Sequence, residues 1–201
     1  MPPIDVVLFD LGGVLIDFGG VDAMRELAGV ESDDEVWRRW LSCEWVRAFE
    51  RGQCSADDFA AGVVADWGLA IDGPAYLAEF AGWLGGPLAG AEELVTEAGR
   101  AVQVGCLSNT NELHWRHWAS WPFLDHLDHR FLSFELGLVK PDRELFEHVA
   151  ERLRPIPADR VLFLDDNLVN VEGARAVGFQ GAHVRGPAEA RAALLEHGVL
   201  G

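Results

Sequence analysis

Aspartates close two of the apolar stretches in this 201-residue chain. Asp10 ends "DVVLFD" near the beginning, and the pair Asp165 and Asp166 ends "RVLFLDD". Carboxylates that lie close together cannot all stay ionised unless a cation neutralises them. Oxygen ligands at a phosphate site favour Mg²⁺, which keeps waters and bridges to a phosphoryl group. A carboxylate beside such a metal can attack phosphorus and form an aspartyl-phosphate.

Two further segments supply groups that phosphoryl transfer needs. Ser108 and Asn109 follow the apolar "VQVGCL", and Lys140 lies in "GLVKPDRELF", just before a predicted helix. A hydroxyl, backbone N–H groups and a lysine stabilise the equatorial phosphoryl oxygens as charge shifts. Taken singly, such residues are more often helix caps or surface lysines. Together with the aspartates they indicate phosphoryl transfer to a carboxylate.

The elements that would position these residues alternate between strands and helices. Apolar runs predict strands over 4–9, 101–108, 130–134, 160–165 and 178–184, and helices are predicted over 90–100, 111–119, 142–153 and 170–178. This rhythm predicts an α/β fold, a doubly wound parallel sheet with helices on both faces. Ligands bind such a sheet beyond the carboxyl ends of its strands, where the polar residues are expected.

A long helical stretch interrupts the alternation and has no convincing strand. In "VWRRWLSCEWVRAF" (36–49), helical spacing places four residues on one face: Val36, Trp40, Cys43 and Val46. In "CSADDFAAGVVADWG" (54–68), a serine cap precedes acidic first-turn residues, and a glycine ends the helix.

Two glycine pairs, Gly19-Gly20 and Gly85-Gly86, border this stretch and could act as hinges. We therefore predict two domains. Residues 1–18 and 86–201 would form the α/β core, and residues 19–85 would form a small α-helical cap inserted after the first strand.

Composition excludes several classes of function. The chain has 16 basic and 33 acidic residues, a net charge of −17, and no cluster of Lys and Arg, so nucleic-acid binding is not expected. The longest stretch free of charge and histidine, 80–91, is too short to span a membrane. "MPPIDVV" has no basic region typical of a secretory signal. Cys43, Cys54 and Cys106 lack metal-ligand spacing, which predicts reduced thiols and a cytoplasmic protein.

Four segments resemble, in order, the motifs of the haloacid dehalogenase-like (HAD) hydrolases, in the branch with a helical cap after the first motif. The segments are "VLFDLGGVLID", "VGCLSNTN", "LGLVKPDRELF" and "VLFLDDNLVNVEGARAVGF". The resemblance covers essentially the whole chain. The sequences of the four segments are most similar to those of sugar-phosphate phosphatases and of the N-terminal phosphatase domains of epoxide hydrolases.

The resemblance implies a role for each matching residue. Asp10 would be the nucleophile and a ligand of Mg²⁺, and Asp166 would be a second metal ligand. Ser108 would donate a hydrogen bond to the phosphoryl group, with Asn109 beside it in the pocket. Lys140 would neutralise charge on the nucleophile and on the phosphoryl oxygens.

Two residues of the fourth motif have less direct roles by this resemblance. Asp165 stands where many relatives have glycine, and would reach the metal directly or through water. Asn170 falls on a position that is often aspartate, which implies a role outside the first coordination shell.

Gly12 departs from the family pattern, in which an aspartate two residues after the nucleophile serves as general acid and base. The main-chain carbonyl of Gly12 could still bind the metal. Loss of a positioned acid typically costs about 10²–10⁴ in rate. Asp17 or a cap residue could substitute, and "FERG" (49–52) is the cap segment whose Glu and Arg we expect to face the cleft.

The aromatic segment "HWRHWASWPF" (114–123) has a simpler interpretation. Its tryptophans, Trp115, Trp118 and Trp121, are predicted to pack in the core and against the cap. His114 and His117 would bind a metal only with a third ligand.

These features predict a Mg²⁺-dependent phosphatase, monomer or homodimer, that hydrolyses a small phosphorylated metabolite such as a sugar phosphate. Three alternatives remain open. Gly12 is compatible with a non-catalytic, regulatory HAD-fold protein. Haloacid dehalogenases also lack the second aspartate but carry a non-acidic fourth motif and use no metal. A phosphotransferase or mutase would use the same aspartyl-phosphate.

Overall fold

The computed structural model describes residues 2–201, apart from the side chain of Leu84. The strands are β1 (Val6–Phe9), β2 (Ile16–Phe18), β3 (Leu84–Pro87), β4 (Gln103–Ser108), β5 (His129–Leu132), β6 (Val161–Asp165) and β7 (Gln180–His183). The helices are α1 (Gly20–Ala28), α2 (Asp33–Ser42), α3 (Glu44–Glu50), α4 (Ala56–Trp67), α5 (Gly73–Gly82), α6 (Ala91–Gly99), α7 (Glu112–Trp118), α8 (Ser133–Leu136), α9 (Arg143–Arg152), α10 (Leu168–Arg175) and α11 (Gly186–Glu196).

Five strands form one parallel sheet in the order β5-β4-β1-β6-β7. This confirms the predicted α/β class and parallel sheet. Strand β1 lies in the middle, and Phe9 pairs with Cys106 on one side and with Leu164 on the other. The chain therefore leaves β1 at Asp10 beside the end of β6, at the edge where ligands bind in open α/β sheets.

The central strand is buried on both faces because helices cover both sides of the sheet. Val7 and Phe9 belong to a hydrophobic cluster that includes residues of α6 and α11. Val6 and Leu8 belong to a second cluster, with residues of α9 and α10. Burial on both faces explains why β1 reads as an unbroken apolar run.

Helices α1–α5, here called the cap helices, surround a hydrophobic cluster of their own. Phe59, Tyr76 and Phe80 lie at its centre, and the ring centroids of Phe49 and Phe59 are 4.3 Å apart. Helix α4 begins and ends as predicted: Ser55 accepts a hydrogen bond from the Asp58 backbone N–H, and Gly68 adopts the left-handed conformation.

Two expectations about this segment were wrong. Residues 36–49 do not form one helix, because Cys43 is extended and separates α2 from α3. Val36, Cys43 and Val46 are nevertheless all buried. The stretch 19–85 also contains the start of a strand, since β3 begins at Leu84 and pairs antiparallel with β2.

The chain enters and leaves the cap helices through this two-stranded β2–β3 ribbon. Gly19-Gly20 directly follows β2, and Gly85-Gly86 lies within β3. Each predicted hinge position is therefore in or next to a segment whose backbone pairs with another strand. The division into core and cap domains at residues 19 and 85 stays a prediction.

Ion pairs connect helix α3 to Asp142, just before α9 and beside the predicted site. Arg47 and Arg51 of α3 lie 2.6 and 2.7 Å from the carboxylate of Asp142, two residues after Lys140. The three cysteines are free thiols, as predicted. Within residues 2–201, no helix combines the length and the apolarity needed to cross a bilayer.

Candidate active site

Lys140 lies between two of the predicted site aspartates. Its Nζ is 2.9 Å from Asp10 Oδ2 and 2.6 Å from Asp165 Oδ2, and its side chain is only 1% exposed. Burial by itself lowers the pKa of Lys140, but the two carboxylates more than offset this and the net shift is upward. Lys140 is therefore an ammonium ion held against the end of β1.

The carboxylate of Asp165 is fully engaged by neighbouring groups. Oδ1 accepts hydrogen bonds from the backbone N–H of Asn167 at 2.8 Å and from Asn170 Nδ2 at 3.0 Å, and Oδ2 pairs with Lys140. These contacts favour a role in which Asp165 orients Lys140 over direct metal binding. Asn170, expected outside the first coordination shell, contacts Asp165.

Three carboxylates converge beyond the ends of β1 and β6. One oxygen from each of Asp10, Asp165 and Asp166 lies within 4.8 Å of the others. Among the described residues, this is the one group of three or more His, Cys, Asp or Glu side chains close enough together to hold a metal ion. Burial raises the pKa of Asp10, Lys140 opposes this, and Asp165 and Asp166 add to the increase. Burial and Asp165 raise the pKa of Asp166 to about 6.

This donor set fits a divalent cation. A single ammonium, Lys140, faces three carboxylates, and oxygen-only donors suit a hard cation such as Mg²⁺. Gly13 permits the close approach of Asp166: its φ is +72°, and a Cβ there would lie 2.3 Å from Asp166 Oδ2. The loop after β1 therefore forms a cradle that a side chain would fill.

Asn109 fixes the loop that carries Lys140. Its Oδ1 accepts a hydrogen bond from the Lys140 backbone N–H at 2.8 Å, and its Nδ2 donates to the Lys140 carbonyl at 3.0 Å. Ser108, at the end of β4, is buried and lines the same pocket as Asp10. The end of β4 and the Lys140 loop are thus held together by a two-way hydrogen bond.

A pocket of about 110 Å³ lies between these strand ends and the cap helices. Asp10, Gly12, Ser108, Lys140 and Asp166 contribute to its polar lining. The cap helices contribute five apolar residues and one charged residue: Val21, Trp37, Trp40, Leu41, Phe80 and Glu50. The pocket therefore joins a charged end to a largely apolar wall.

Comparison with known proteins assigns the family. The family model for haloacid dehalogenase-like hydrolases matches residues 4–178. The chain is a HAD-like hydrolase. The resemblance stated from its four motifs is confirmed.

Individual relatives of this HAD-like hydrolase include two enzyme types. The chain is 31% identical over 191 residues to the sesquiterpene phosphatase astK of Aspergillus oryzae (strain ATCC 42149 / RIB 40), covering 88% of each protein. A HAD family enzyme from Bacteroides thetaiotaomicron, in complex with magnesium and inorganic phosphate, has a TM-score of 0.67 and 22% identity, covering 89% of this chain and 93% of that one. The L-2-haloacid dehalogenase from Xanthobacter autotrophicus has a TM-score of 0.64 and 25% identity, with 90% and 77% covered.

Two positions that could replace the missing acid at Gly12 differ in location. Asp17 is exposed on β2, where its side chain lies beside Gly85, and it is not among the described residues that line the pocket. Glu50, in the predicted "FERG" segment, does line the pocket. The neighbouring Arg51 does not follow Glu50 into the cleft, because it pairs with Asp142.

Glu50 is held by one cap residue and one core residue. Its Oε1 accepts a hydrogen bond from Trp40 Nε1 at 3.2 Å, and its Oε2 accepts one from Asn109 Nδ2 at 3.2 Å. Burial raises its pKa to about 7, although Trp40, Lys140 and Arg47 act in the opposite direction. Sequence motifs gave no role to Glu50 beyond its place in a segment expected to face the cleft.

The three tryptophans after β4 pack in the core, as predicted. Trp118 is buried in the core cluster, and Trp115 and Trp121 pack against that cluster. His114 stacks on Phe80 with ring centroids 4.2 Å apart, and its burial lowers its pKa to about 4. Neither His114 nor His117 belongs to a metal-binding cluster within the described part of the chain.

Proposed function

We propose that this HAD-like hydrolase is a Mg²⁺-dependent phosphatase that cleaves a phosphate monoester through an aspartyl-phosphate at Asp10. The observation that carries the proposal is the position of Asp10, paired with Lys140 and beside Asp166 at the charged end of the pocket. The sesquiterpene phosphatase relative supports the reaction class.

The nucleophile is held by contacts to both of its oxygens. Oδ1 of Asp10 accepts a hydrogen bond from the Leu11 backbone N–H at 2.7 Å, and Oδ2 pairs with Lys140. This arrangement fixes the carboxylate before the substrate arrives. The Lys140 ammonium would also stabilise the phosphoryl oxygens, and the Ser108 hydroxyl would donate a hydrogen bond to one of them.

Asp10, Asp166 and the main-chain carbonyl of Gly12 would hold the Mg²⁺, and Asp165 would hold Lys140 in place. When bound, Mg²⁺ neutralises the clustered carboxylates and stabilises charge on the phosphoryl oxygens. The magnesium and phosphate bound to the Bacteroides enzyme are consistent with this assignment. The cluster of Asp10, Asp165 and Asp166 would otherwise place three carboxylates against one lysine.

The wall of the pocket favours an organic group that is apolar. Five of the six pocket residues from the cap helices are apolar, and the one charged residue, Glu50, is already hydrogen-bonded to Trp40 and Asn109. A sugar would leave its hydroxyls facing aromatic rings, at the cost of unmade hydrogen bonds. We therefore place an apolar phosphate monoester ahead of the sugar phosphate expected from the motifs.

A dehalogenase is the second candidate, because the Xanthobacter L-2-haloacid dehalogenase shares the fold. The buried acidic cluster argues against it, since a third carboxylate beside Asp10 repels an anionic halo acid unless a cation is bound. We further propose that the protein is cytoplasmic, in line with its free thiols, and acts on its substrate as a monomer or homodimer.

Purified protein incubated with an aryl phosphate and Mg²⁺ tests the proposal. We expect phosphate release that requires Mg²⁺ and disappears in Asp10→Asn, which keeps the shape of the side chain. The parallel assay measures chloride release from 2-chloropropionate. Chloride release without phosphate release would favour the dehalogenase, and neither product would favour a non-catalytic protein.

A further inference from the structure

We propose that Glu50 is the proton donor and acceptor of the reaction, in place of the side chain missing at Gly12. The inference rests on the proposed phosphatase function. The proposal assigns proton transfer to a residue of a cap helix, because the sequence motifs supply no residue for this step.

Geometry places the Glu50 carboxylate at the pocket and orients it. Glu50 is the last residue of α3, and its two oxygens accept hydrogen bonds from Trp40 and from Asn109, each at 3.2 Å. Asn109 cannot rotate freely, because its amide also bonds the Lys140 backbone in both directions. A carboxyl group offers about four lone-pair positions, so each Glu50 oxygen keeps capacity for a proton or a substrate contact.

The surroundings of Glu50 suit a group that must both give and take a proton. Burial brings its pKa to about 7, so both forms are populated near neutral pH. A general acid works best when its pKa lies near the working pH. Below that value Glu50 carries the proton that a departing alkoxide needs.

Other titratable groups in and near the pocket are committed elsewhere. Asp10 and Asp166 belong to the acidic cluster, and Asp165 is engaged by Lys140 and Asn170. Burial lowers the pKa of His114 to about 4, so its ring is neutral near pH 7. Its Nε2 lies 3.3 Å from the Phe80 carbonyl oxygen and donates its proton there, because a carbonyl oxygen can only accept. Among the pocket residues that the structure describes, Glu50 is the carboxyl group left for this step.

The proposed step balances in both halves of the reaction. An Asp10 oxygen bonds to phosphorus, the bond from phosphorus to the leaving oxygen breaks, and that oxygen takes the proton of Glu50 to become an alcohol. Glu50, now a carboxylate, then accepts a proton from the water whose oxygen bonds to phosphorus. The bond from phosphorus to Asp10 breaks, which restores Asp10 and releases inorganic phosphate.

The test compares the natural protein with Glu50→Gln on 2,4-dinitrophenyl phosphate and on a simple alkyl phosphate, with Mg²⁺ present. The dinitrophenolate leaves without a proton, and kcat/KM covers only the steps up to its release, so kcat/KM for this ester should change only a few-fold. Later hydrolysis of the aspartyl-phosphate, in which Glu50 is the base, should slow for both esters and lower kcat. The kcat/KM for the alkyl phosphate should fall by about 10²–10⁴-fold, the usual contribution of a positioned acid. The alkaline limb of kcat/KM for the alkyl ester, expected near the pKa of Glu50, should disappear in this variant.

Gly12→Asp in the Glu50→Gln background provides a rescue. A Cβ at Gly12 would meet Phe18 at an ordinary 3.6 Å, so the new side chain is sterically allowed. We expect this double variant to recover kcat/KM for the alkyl phosphate without improving kcat/KM for the dinitrophenyl ester. A purely structural role for Glu50 would not produce this selective recovery.

Trp40→Phe tests the assignment without changing Glu50, and serves also if Glu50→Gln fails to fold. The Trp40 hydrogen bond lowers the pKa of Glu50, so its removal should move the alkaline limb to higher pH. Equal losses of kcat/KM on both esters in Glu50→Gln, or an unmoved limb in Trp40→Phe, would overturn the role of Glu50 alone. Failure of the natural protein to hydrolyse even the dinitrophenyl ester would overturn the phosphatase function and this inference together.

Discussion

Lys140 is held closer to Asp165 than to Asp10, with Nζ 2.6 Å from Asp165 Oδ2 and 2.9 Å from Asp10 Oδ2. Asp165 is fully buried and is itself fixed by Asn170 and the Asn167 backbone. The lysine is therefore anchored by one aspartate and presented to the other. In the proposed reaction this leaves Asp10 as the carboxylate with room to bond a substrate.

Removing the lysine should destabilise the fold strongly. Lys140→Met would leave two buried carboxylates, Asp10 and Asp165, without their cation. Losing one partner of a buried ion pair typically costs about 3–5 kcal/mol in the free energy of unfolding. Urea unfolding of the metal-free protein at neutral pH measures this cost. Arg143→Met, which removes an exposed pair with Glu147, is the matched control and should cost under about 1 kcal/mol.

The metal-free protein should lose stability as pH rises. The pKa of Asp166 moves from 3.8 in the unfolded reference to about 6, and that of Glu50 from 4.5 to about 7. Between these values Asp166 and Glu50 bind more protons in the native state than in the unfolded chain, and together they outweigh His114, whose pKa is lowered from 6.5 to about 4 and which acts in the opposite direction. The free energy of unfolding therefore decreases as pH increases through about 4 to 7. The melting temperature in the presence of a chelator should therefore be higher at about pH 5 than at about pH 8.

Mg²⁺ should raise the melting temperature, and more at high pH, where its carboxylate ligands are ionised. Asp166→Asn should abolish most of this increase while leaving the metal-free protein at least as stable, because one repelling charge is gone. Thermal scans with and without millimolar Mg²⁺ measure both effects. An equal Mg²⁺ response in the variant and the natural protein would place the metal elsewhere.

Neighbouring glycines should respond differently to alanine. At Gly13 a Cβ would lie 2.3 Å from Asp166 Oδ2 and φ is +72°, whereas at Gly12 the nearest atom is Phe18 Cβ at 3.6 Å. Gly13→Ala should cost about 1–3 kcal/mol of stability and weaken the Mg²⁺ response. Gly12→Ala should stay within about 0.5 kcal/mol of the natural protein. Similar unfolding curves for the two variants would contradict this account of the loop.

The ion pairs of Asp142 should influence how tightly the cap helices close. Asp142→Asn removes the partner of Arg47 and Arg51, which lie 2.6 and 2.7 Å away. Partly exposed pairs contribute about 0.2–1 kcal/mol each, so KM should rise a few-fold with little change in kcat. Glu147→Gln breaks an exposed pair outside the cap contact and is the control. A large loss of kcat would mean that Asp142 positions Lys140 instead.

Much of the site follows from the sequence because parallel strands end at one edge of their sheet. Once the apolar runs predicted β1, β4 and β6, the residues that follow them had to lie close together. Asp10, Ser108 and Asp166 meet at the pocket for this reason. The motif spelling placed Lys140 beside them, and the structure brings its ammonium to Asp10.

Only the tertiary structure decided which partner each polar side chain takes. Asp165 and Asp166 are adjacent and identical in type, yet one is fully buried against Lys140 and the other lines the pocket. Glu50 and Arg51 are also adjacent, yet one bonds Asn109 and the other Asp142. The partners of Glu50 and Arg51 depend on how the end of α3 packs against residues 59 and 91 positions away in the chain. The local pattern of polar and apolar residues predicts which side chains face inward. A contact between two distant segments forms only when both segments pack together in the folded protein.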